Sequence, residues 1–377
     1  MKQNQFSRTE QLGYFILSRL PFKKNILNLL NKKRLSNIKK SKTPLNLVYY
    51  ITNNCNLRCR HCFYWKSLNK NNKNELNQDE LTKIAKSLKH PLNVLSITGG
   101  EPFLRKDIVE VCSIFYKYNN TKRINITTNG FDSEFIYESV KRILNNNPRK
   151  RLTIFISLDG MEDTHNKIRN NKNAFAKVTE TIKRLKQINN PNLSLLIATT
   201  IYKENFKELP ELIRYLKQFN IIHKFNLLRN SSMVSCVDKD LTYNFSPQYF
   251  HPLEKEELFQ VYSLIKENIT NLSSKVEALK IRNSIEIILN KTSPVRCLAT
   301  YTDVVLFPEG NISICEPTKI FTNIRNYDYD FYRLWNSEET KKVKEKLSNC
   351  KCIQPENLLN SMKYDTETLT KVFSRKY

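Results

Sequence analysis

Six short apolar runs of five to eight residues punctuate the first two thirds of the chain: Leu47–Thr52, Leu92–Thr98, Ile124–Thr128, Leu152–Ser157, Leu193–Thr200 and Ile221–Leu228. Runs of this length, rich in β-branched and aromatic residues, predict buried strands. Between them, apolar residues recur three and four positions apart. Leu81, Ile84, Ala85 and Leu88 form one stripe, Phe175, Val178, Ile182 and Leu185 another, and Leu209, Leu212, Ile213 and Leu216 a third. Asn77 with Glu80, and Asn205 with Glu208, supply capping-type starts for the first and third of these helices. Strands alternating with helices predict a parallel sheet with the helices outside, each stripe being the face packed on the sheet. Cys112 shares such a helix with Ile108, Val111 and Phe115 and reads as a small buried hydrophobe.

The polar residues that break this pattern gather just past the strand ends, where parallel barrels carry their active sites. CNLRCRHC follows the first run and brings in Cys55, Cys59 and Cys62. Three thiolates leave one corner of a cubane cluster open, and soft sulfur ligands suit iron–sulfur clusters or zinc rather than magnesium or calcium. The second run ends at Gly99-Gly100-Glu101-Pro102. Glycines there let backbone approach a ligand closely, and Glu101 is either a ligand contact or an acid favoured at a helix N-terminus. ITTNG places Thr127, Thr128, Asn129 and Gly130 at the third strand end; ISLDG places Ser157, Asp159 and Gly160 at the fourth, followed by His165 and Arg169. Asp159-Gly160 equally suits a turn. His165 fits a structural hydrogen bond better than a general base, and Arg229, beyond the sixth run, is read as a mouth-facing substrate or cofactor contact, with an ordinary loop charge as the alternative.

These motifs at these strand ends resemble the radical S-adenosylmethionine (SAM) enzymes. The resemblance implies a partial (β/α)6 TIM-like barrel in which Cys55, Cys59 and Cys62 hold a [4Fe-4S] cluster. It also implies SAM contacts from His61 near the adenine, from Gly99, Gly100 and Glu101 near the methionyl amino group, from Thr128 and Asn129 lining the site, and from Ser157 and Arg169 at the carboxylate or ribose. An arginine fork matches a carboxylate in geometry. The cofactor carries the hard chemistry, reductive cleavage of SAM to a 5′-deoxyadenosyl radical.

Nine cysteines in a chain without a recognisable secretory leader do not read as a disulfide framework. Cys297 and Cys315 flank a predicted hairpin with a Pro-Glu-Gly-Asn turn, and Cys350 and Cys352 follow. Four such ligands close a second site, with a structural zinc as the alternative occupant. The segment resembles the twitch form of the SPASM auxiliary domain, a small α+β unit, which implies one auxiliary [4Fe-4S] cluster held by Cys297, Cys315, Cys350 and Cys352. The close Cys350-Lys351-Cys352 spacing departs from the commoner pair separated by two residues. Cys236 is the candidate for catalytic hydrogen-atom or proton transfer, against an incidental loop thiol.

Composition changes this picture little. The net charge is +26, but lysine and asparagine are spread along the whole chain without a basic–aromatic stacking module, so nucleic acid is not the expected partner. The first 44 residues carry eleven lysines or arginines and the single acid Glu10, interspersed with apolar residues. They read as a basic amphipathic extension, giving peripheral contact with an anionic membrane or packing on the barrel. The expected organisation is 1–44 extension, 45–245 barrel, 246–290 helical connection, 291–362 auxiliary-cluster unit and 363–377 peripheral tail. The expected place is the cytoplasm, with a reducing donor such as flavodoxin or ferredoxin. The expected activity is hydrogen abstraction from a small polar, sugar or lipid-linked substrate with net oxidation. Peptide or protein maturation is the alternative, and a metal-stabilised RNA-binding or scaffold protein the non-enzymatic one.

Overall fold

The computed structural model describes residues 23–70, 74–230, 247–249 and 251–374; Cys236 lies outside the described residues. Helix α1 (Lys23–Lys39) precedes an alternating series: β1 (Asn46–Thr52), α2 (Gln78–Ser87), β2 (Val94–Gly99), α3 (Ile108–Ile114), β3 (Arg123–Thr128), α4 (Ser133–Asn146), β4 (Arg151–Ser157), α5 (Glu162–Arg169), α6 (Ala174–Lys186), β5 (Leu193–Ile201), α7 (Leu209–Lys217) and β6 (Ile222–Leu227). Helices α8 (Lys255–Glu267) and α9 (Leu272–Asn290) lead into the C-terminal unit. It comprises α10 (Ala299–Thr302), β7 (Asp303–Leu306), β8 (Asn311–Ser313), β9 (Thr322–Asn323), α11 (Phe331–Trp335), α12 (Glu338–Lys346), α13 (Pro355–Met362) and α14 (Thr366–Phe373). All six expected barrel strands are present within two residues of their expected bounds.

Strands β1 to β6 pair in parallel in chain order, the arrangement of a partial TIM-like barrel. Period-two alternation sorts their side chains. Leu95, Ile97, Ile124, Ile126, Leu152 and Ile154 are buried in the apolar core, whereas Ser96, Asn125 and Thr153 line the barrel interior. The C-terminal unit is not a separate layer. β7 pairs in parallel with β1, from Asn46 opposite Asp303 to Tyr49 opposite Leu306, and β8 and β9 extend the same sheet antiparallel to nine strands.

A partial barrel leaves β6 as an edge whose backbone needs partners. Helix α9 supplies them with side chains. Glu277 Oε1 accepts from Phe225 N at 2.9 Å, Lys280 Nζ donates to Phe225 O, and Lys224 of β6 donates to Glu277 Oε2 at 3.0 Å. Glu277 is fully buried. Burial alone raises its pKa, but Lys224, Lys280 and the Phe225 amide override that and hold it down at about 2.

The Asn77–Glu80 capping box is present, with Glu80 N donating to Asn77 Oδ1 at 3.0 Å and Asn77 N to Glu80 Oε2 at 2.9 Å. Asn205 and Glu208 do not form the expected second box. Asn205 instead donates to Asp159 O at 2.7 Å and Thr200 O at 2.8 Å, and Glu208 accepts from Met161 N at 2.7 Å, so both side chains brace loops at the barrel mouth. Residues expected as a peripheral tail form α14, which buries Leu369 and Val372. Helix α1 docks there: Asn31 Nδ2 donates to Thr366 Oγ1 at 3.1 Å and Arg34 to Lys363 O at 3.0 Å. The described part of the extension thus packs on helices of the C-terminal unit. Among the described residues no helix is long and apolar enough to cross a membrane.

Removing Glu277 strands two buried lysines, so Glu277→Ala should destabilise the chain by about 3–5 kcal/mol in denaturant unfolding. The folded pKa lies below the ordinary 4.5, so this stabilisation is complete above pH 4.5 and lost as pH falls towards 2. The gap in melting temperature between wild type and variant should therefore shrink between pH 7 and pH 3.

Candidate active site

The cysteine loop is folded by its own neighbours. Asn69, in the left-handed region at φ 58°, accepts from Cys55 N at 2.8 Å and donates to Cys55 O at 3.2 Å. Asparagine tolerates that conformation better than most residues. The loop is then drawn onto β2: Gly100 N donates to Thr52 O at 2.8 Å and Glu101 N to Asn54 O at 2.7 Å. A Cβ on Gly99 would stand 2.5 Å from Thr52 O, and one on Gly100 2.0 Å from Asn54 O. The glycines thus admit the chain's own cysteine loop, a packing role that their reading as a ligand cradle overlooked.

Glu101 caps the short helical turn that follows it, accepting from Phe103 N at 3.2 Å, Thr128 Oγ1 at 2.8 Å and Asn129 N at 2.7 Å. The Phe103 contact is that of a helix-end acid, while the other two tie Glu101 to the end of β3. Burial outweighs the donors and lifts its carboxyl to about 7. Asn129 reaches across to Asn56 Oδ1 at 2.8 Å, tying the β3 mouth to the cysteine loop.

Arg169, at the end of α5, pairs with buried Asp159 at 2.6 Å and donates to Cys59 Sγ at 3.5 Å. Asp159 in turn accepts from Thr200 N at 3.0 Å. His165 Nδ1 accepts from Asp159 N at 3.1 Å, the structural bond expected for it, and burial keeps the ring neutral with a pKa near 3. His61 lies 4.0 Å from Asp159 with its ring 5.9 Å from that of Tyr202; burial lowers its pKa to about 4.

These groups share one cavity of about 300 Å3, lined by Cys55, Cys59, Cys62, His61, Gly99, Gly100, Glu101, Thr128, Asn129, Ser157 and Arg169. Its other wall comes from Arg229 and from Glu316, Gln354 and Glu356 of the C-terminal unit. Sequence reasoning missed Glu316. It accepts from Tyr50 Oη at 2.6 Å, from Arg229 at 3.1 Å and from Gln354. The available signal was its place directly after Cys315.

Cys297, Cys350 and Cys352 line a small separate void, and Cys315 is close enough to feel the charge of Cys297 and Cys352. Gln354 follows Cys352 by two residues, so the auxiliary cysteines and the cavity wall are built from the same segments. Cys350 is disulfide-bonded, a link that must open before its thiolate could join a cluster. Cys112 is fully buried on α3, as expected.

Burial pushes the thiols of Cys55, Cys62 and Cys297 up to about 12 and raises Cys59, Cys315 and Cys352. Buried, grouped thiols become thiolates only beside a compensating cation, which is what a soft-metal cluster provides. The donor chemistry at both places therefore fits iron–sulfur clusters, although among the described residues no three ligand groups are already arranged around a metal position.

Residues 49–216 match the family model described as Radical SAM superfamily. The chain is 28% identical over 174 residues to the sporulation killing factor maturation protein SkfB of Bacillus subtilis, covering 45% of this chain and 39% of that protein. To a GTP 3′,8-cyclase of Clostridium botulinum it is 27% identical over 282 residues, covering 74% of this chain and 82% of the cyclase. Streptococcus suis SuiB bound to S-adenosylmethionine shares the fold at 17% identity and a TM-score of 0.57, over 81% of this chain and 69% of SuiB. The match to SkfB thus spans well under half of that protein. Residues 49–216 thus carry a radical SAM domain, and the fold shared with SuiB extends well beyond it.

Proposed function

We propose that the chain is a radical SAM maturase acting on a peptide or protein, abstracting hydrogen from an unactivated substrate carbon. The observation that carries it is the single cavity whose walls come from the three-cysteine loop on one side and from residues adjoining the auxiliary cysteines on the other. A substrate there lies within reach of both. When bound, a cluster at Cys55, Cys59 and Cys62 supplies the electron that cleaves SAM, and one at the C-terminal cysteines supplies an acceptor for the electron left by substrate oxidation.

The chain's own groups do the positioning. The Asp159–Arg169 pair fixes the guanidinium beside Cys59 and leaves Arg169 on the cavity wall, where a SAM carboxylate or ribose would meet it. Ser157, Thr128 and Asn129 offer polar atoms along the same wall. Glu316, clamped by Tyr50, Arg229 and Gln354, presents a fixed carboxylate to the substrate side. An external low-potential donor such as flavodoxin or ferredoxin completes the electron supply.

The choice of a peptide substrate rests on the likeness to SkfB, named a maturation protein, and on the fold shared with SuiB, solved also with its precursor peptide SuiA at a TM-score of 0.54 over 96% of this chain. The small polar or lipid-linked substrate expected from sequence has less support. Its favouring observation is the cyclase similarity, which runs through 74% of this chain.

The reduced, reconstituted enzyme should form 5′-deoxyadenosine and draw deuterium into it from peptide pools deuterated at carbon. Label arriving only from small-metabolite pools would contradict the peptide reading, and absence of 5′-deoxyadenosine would contradict the radical reading. Arg169→Lys should lower 5′-deoxyadenosine formation at least about tenfold, because an ammonium cannot span Asp159 and Cys59 together. Glu316→Gln should lower substrate-dependent deuterium transfer about tenfold or more, roughly 1.4 kcal/mol, with substrate-free SAM cleavage nearly unchanged.

A further inference from the structure

The barrel interior continues into a second chamber nearer the N-terminal ends of the strands. It measures about 210 Å3, is lined by inward-facing residues of all six barrel strands, and shares Ser96 and Glu356 with the cavity above. TIM-type interiors are ordinarily filled by layers of branched apolar side chains. This one sets charged and amide side chains among apolar neighbours such as Val94, Phe155 and Leu196, and two of its groups are unsatisfied: Arg123 Nε and Asn125 Oδ1 are shielded from solvent without a hydrogen-bond partner.

The charges there do not cancel. Four cations, Arg123, Lys224, Lys280 and Lys363, line the chamber. Among the described residues, three carboxylates interact with them. Glu277 is bonded to Lys224 and Lys280, Asp303 interacts with Lys363, and Glu356 already accepts from Ser96 at 3.1 Å. Glu356 is the acid that Arg123 feels, while Arg151 repels it. A shielded guanidinium N–H without an acceptor, in a cavity with surplus positive charge, is costly until an anion fills it. The neighbouring Asn125 oxygen asks for the opposite, a donor.

We propose that this inner chamber binds a carboxylate flanked by an N–H, as found at a peptide C-terminus or an acidic residue, with Arg123 donating to the carboxylate and Asn125 accepting from the N–H. The volume admits about one residue. Resting on the peptide reading above, the inference gives that substrate a direction: the carboxylate arm passes Glu356 into the inner chamber and the reacting carbon stays beside the cysteines. Arg123 and Asn125 are then specificity-determining residues.

The test uses the full reconstituted chain and N-acetylglycine, which carries both groups, with binding followed by saturation-transfer NMR. Binding should be saturable, at least about tenfold weaker in Arg123→Gln, intermediate in Arg123→Lys, and unchanged in Arg142→Gln on the exposed face of α4. N-acetylglycinamide, lacking the carboxylate, should not bind, and inorganic phosphate should compete poorly. Absence of saturable binding to the folded chain, equal binding by Arg123→Gln, or displacement by phosphate at equal concentration would each overturn the proposal. Should Arg123→Gln fail to fold, Arg123→Lys and Asn125→Leu carry the same comparison. Substrate-free SAM cleavage, measured on the same samples, separates this outcome from failure of the radical reading, because it does not depend on the inner chamber.

Discussion

Everything at the barrel mouth depends on two backbone hydrogen bonds that only glycines permit. Gly100 and Glu101 donate to Thr52 and Asn54 across a gap in which any Cβ at Gly99 or Gly100 would overlap carbonyl oxygens. That contact fixes the loop bearing Cys55, Cys59 and Cys62 against the end of β2. It also brings Glu101 to Thr128 and Asn129, so the first three strand ends are stitched into one unit. Asp159 and Arg169 extend the stitching to the fourth and fifth strands, through Thr200 on one side and Cys59 on the other. The thiols are therefore held by a hydrogen-bonded network that ties the strand ends together, which suits a site that must keep three soft ligands in place and admit a cofactor at an open position.

The second physical theme is how a partial barrel finishes its edges. On one side β7 continues the sheet beside β1, which places Cys315 and Glu316 next to the cysteine loop's own strand. On the other, a buried carboxylate and ammonium on α9 replace a missing strand. The first solution makes the auxiliary unit part of the cavity wall. The second leaves charged groups inside the barrel, and the inner chamber inherits some of them.

Much of this was legible in the sequence because local rules set it. Strand bounds follow from apolar runs such as Leu152–Ser157, the start of α2 from Asn77 and Glu80, and the gathering of motif residues at one mouth from the strand-end positions of Cys55, Gly100, Asn129 and Asp159. The pairing of β7 with β1 was not legible, since nothing local in Asp303–Leu306 names a partner more than 250 residues away. Nor was the role of α9, because buried Lys275, Glu277, Lys280 and Asn283 give it no clean apolar stripe. Asn205 and Glu208 misled for a related reason: their spacing fits a capping box, yet tertiary partners at Asp159 and Met161 claimed both side chains. Glu316 carried no motif, and only the fold shows that three elements converge on it.

The central claim is that two separate cysteine sets, each suited to an iron–sulfur cluster, serve one cavity. Iron and acid-labile sulfide per chain test it most directly after anaerobic reconstitution. The intact chain should hold about eight of each, and about four of each once Cys55, Cys59 and Cys62 are all replaced by alanine. A content of about four that vanishes in the triple variant, or zinc in place of iron at the C-terminal cysteines, would contradict it.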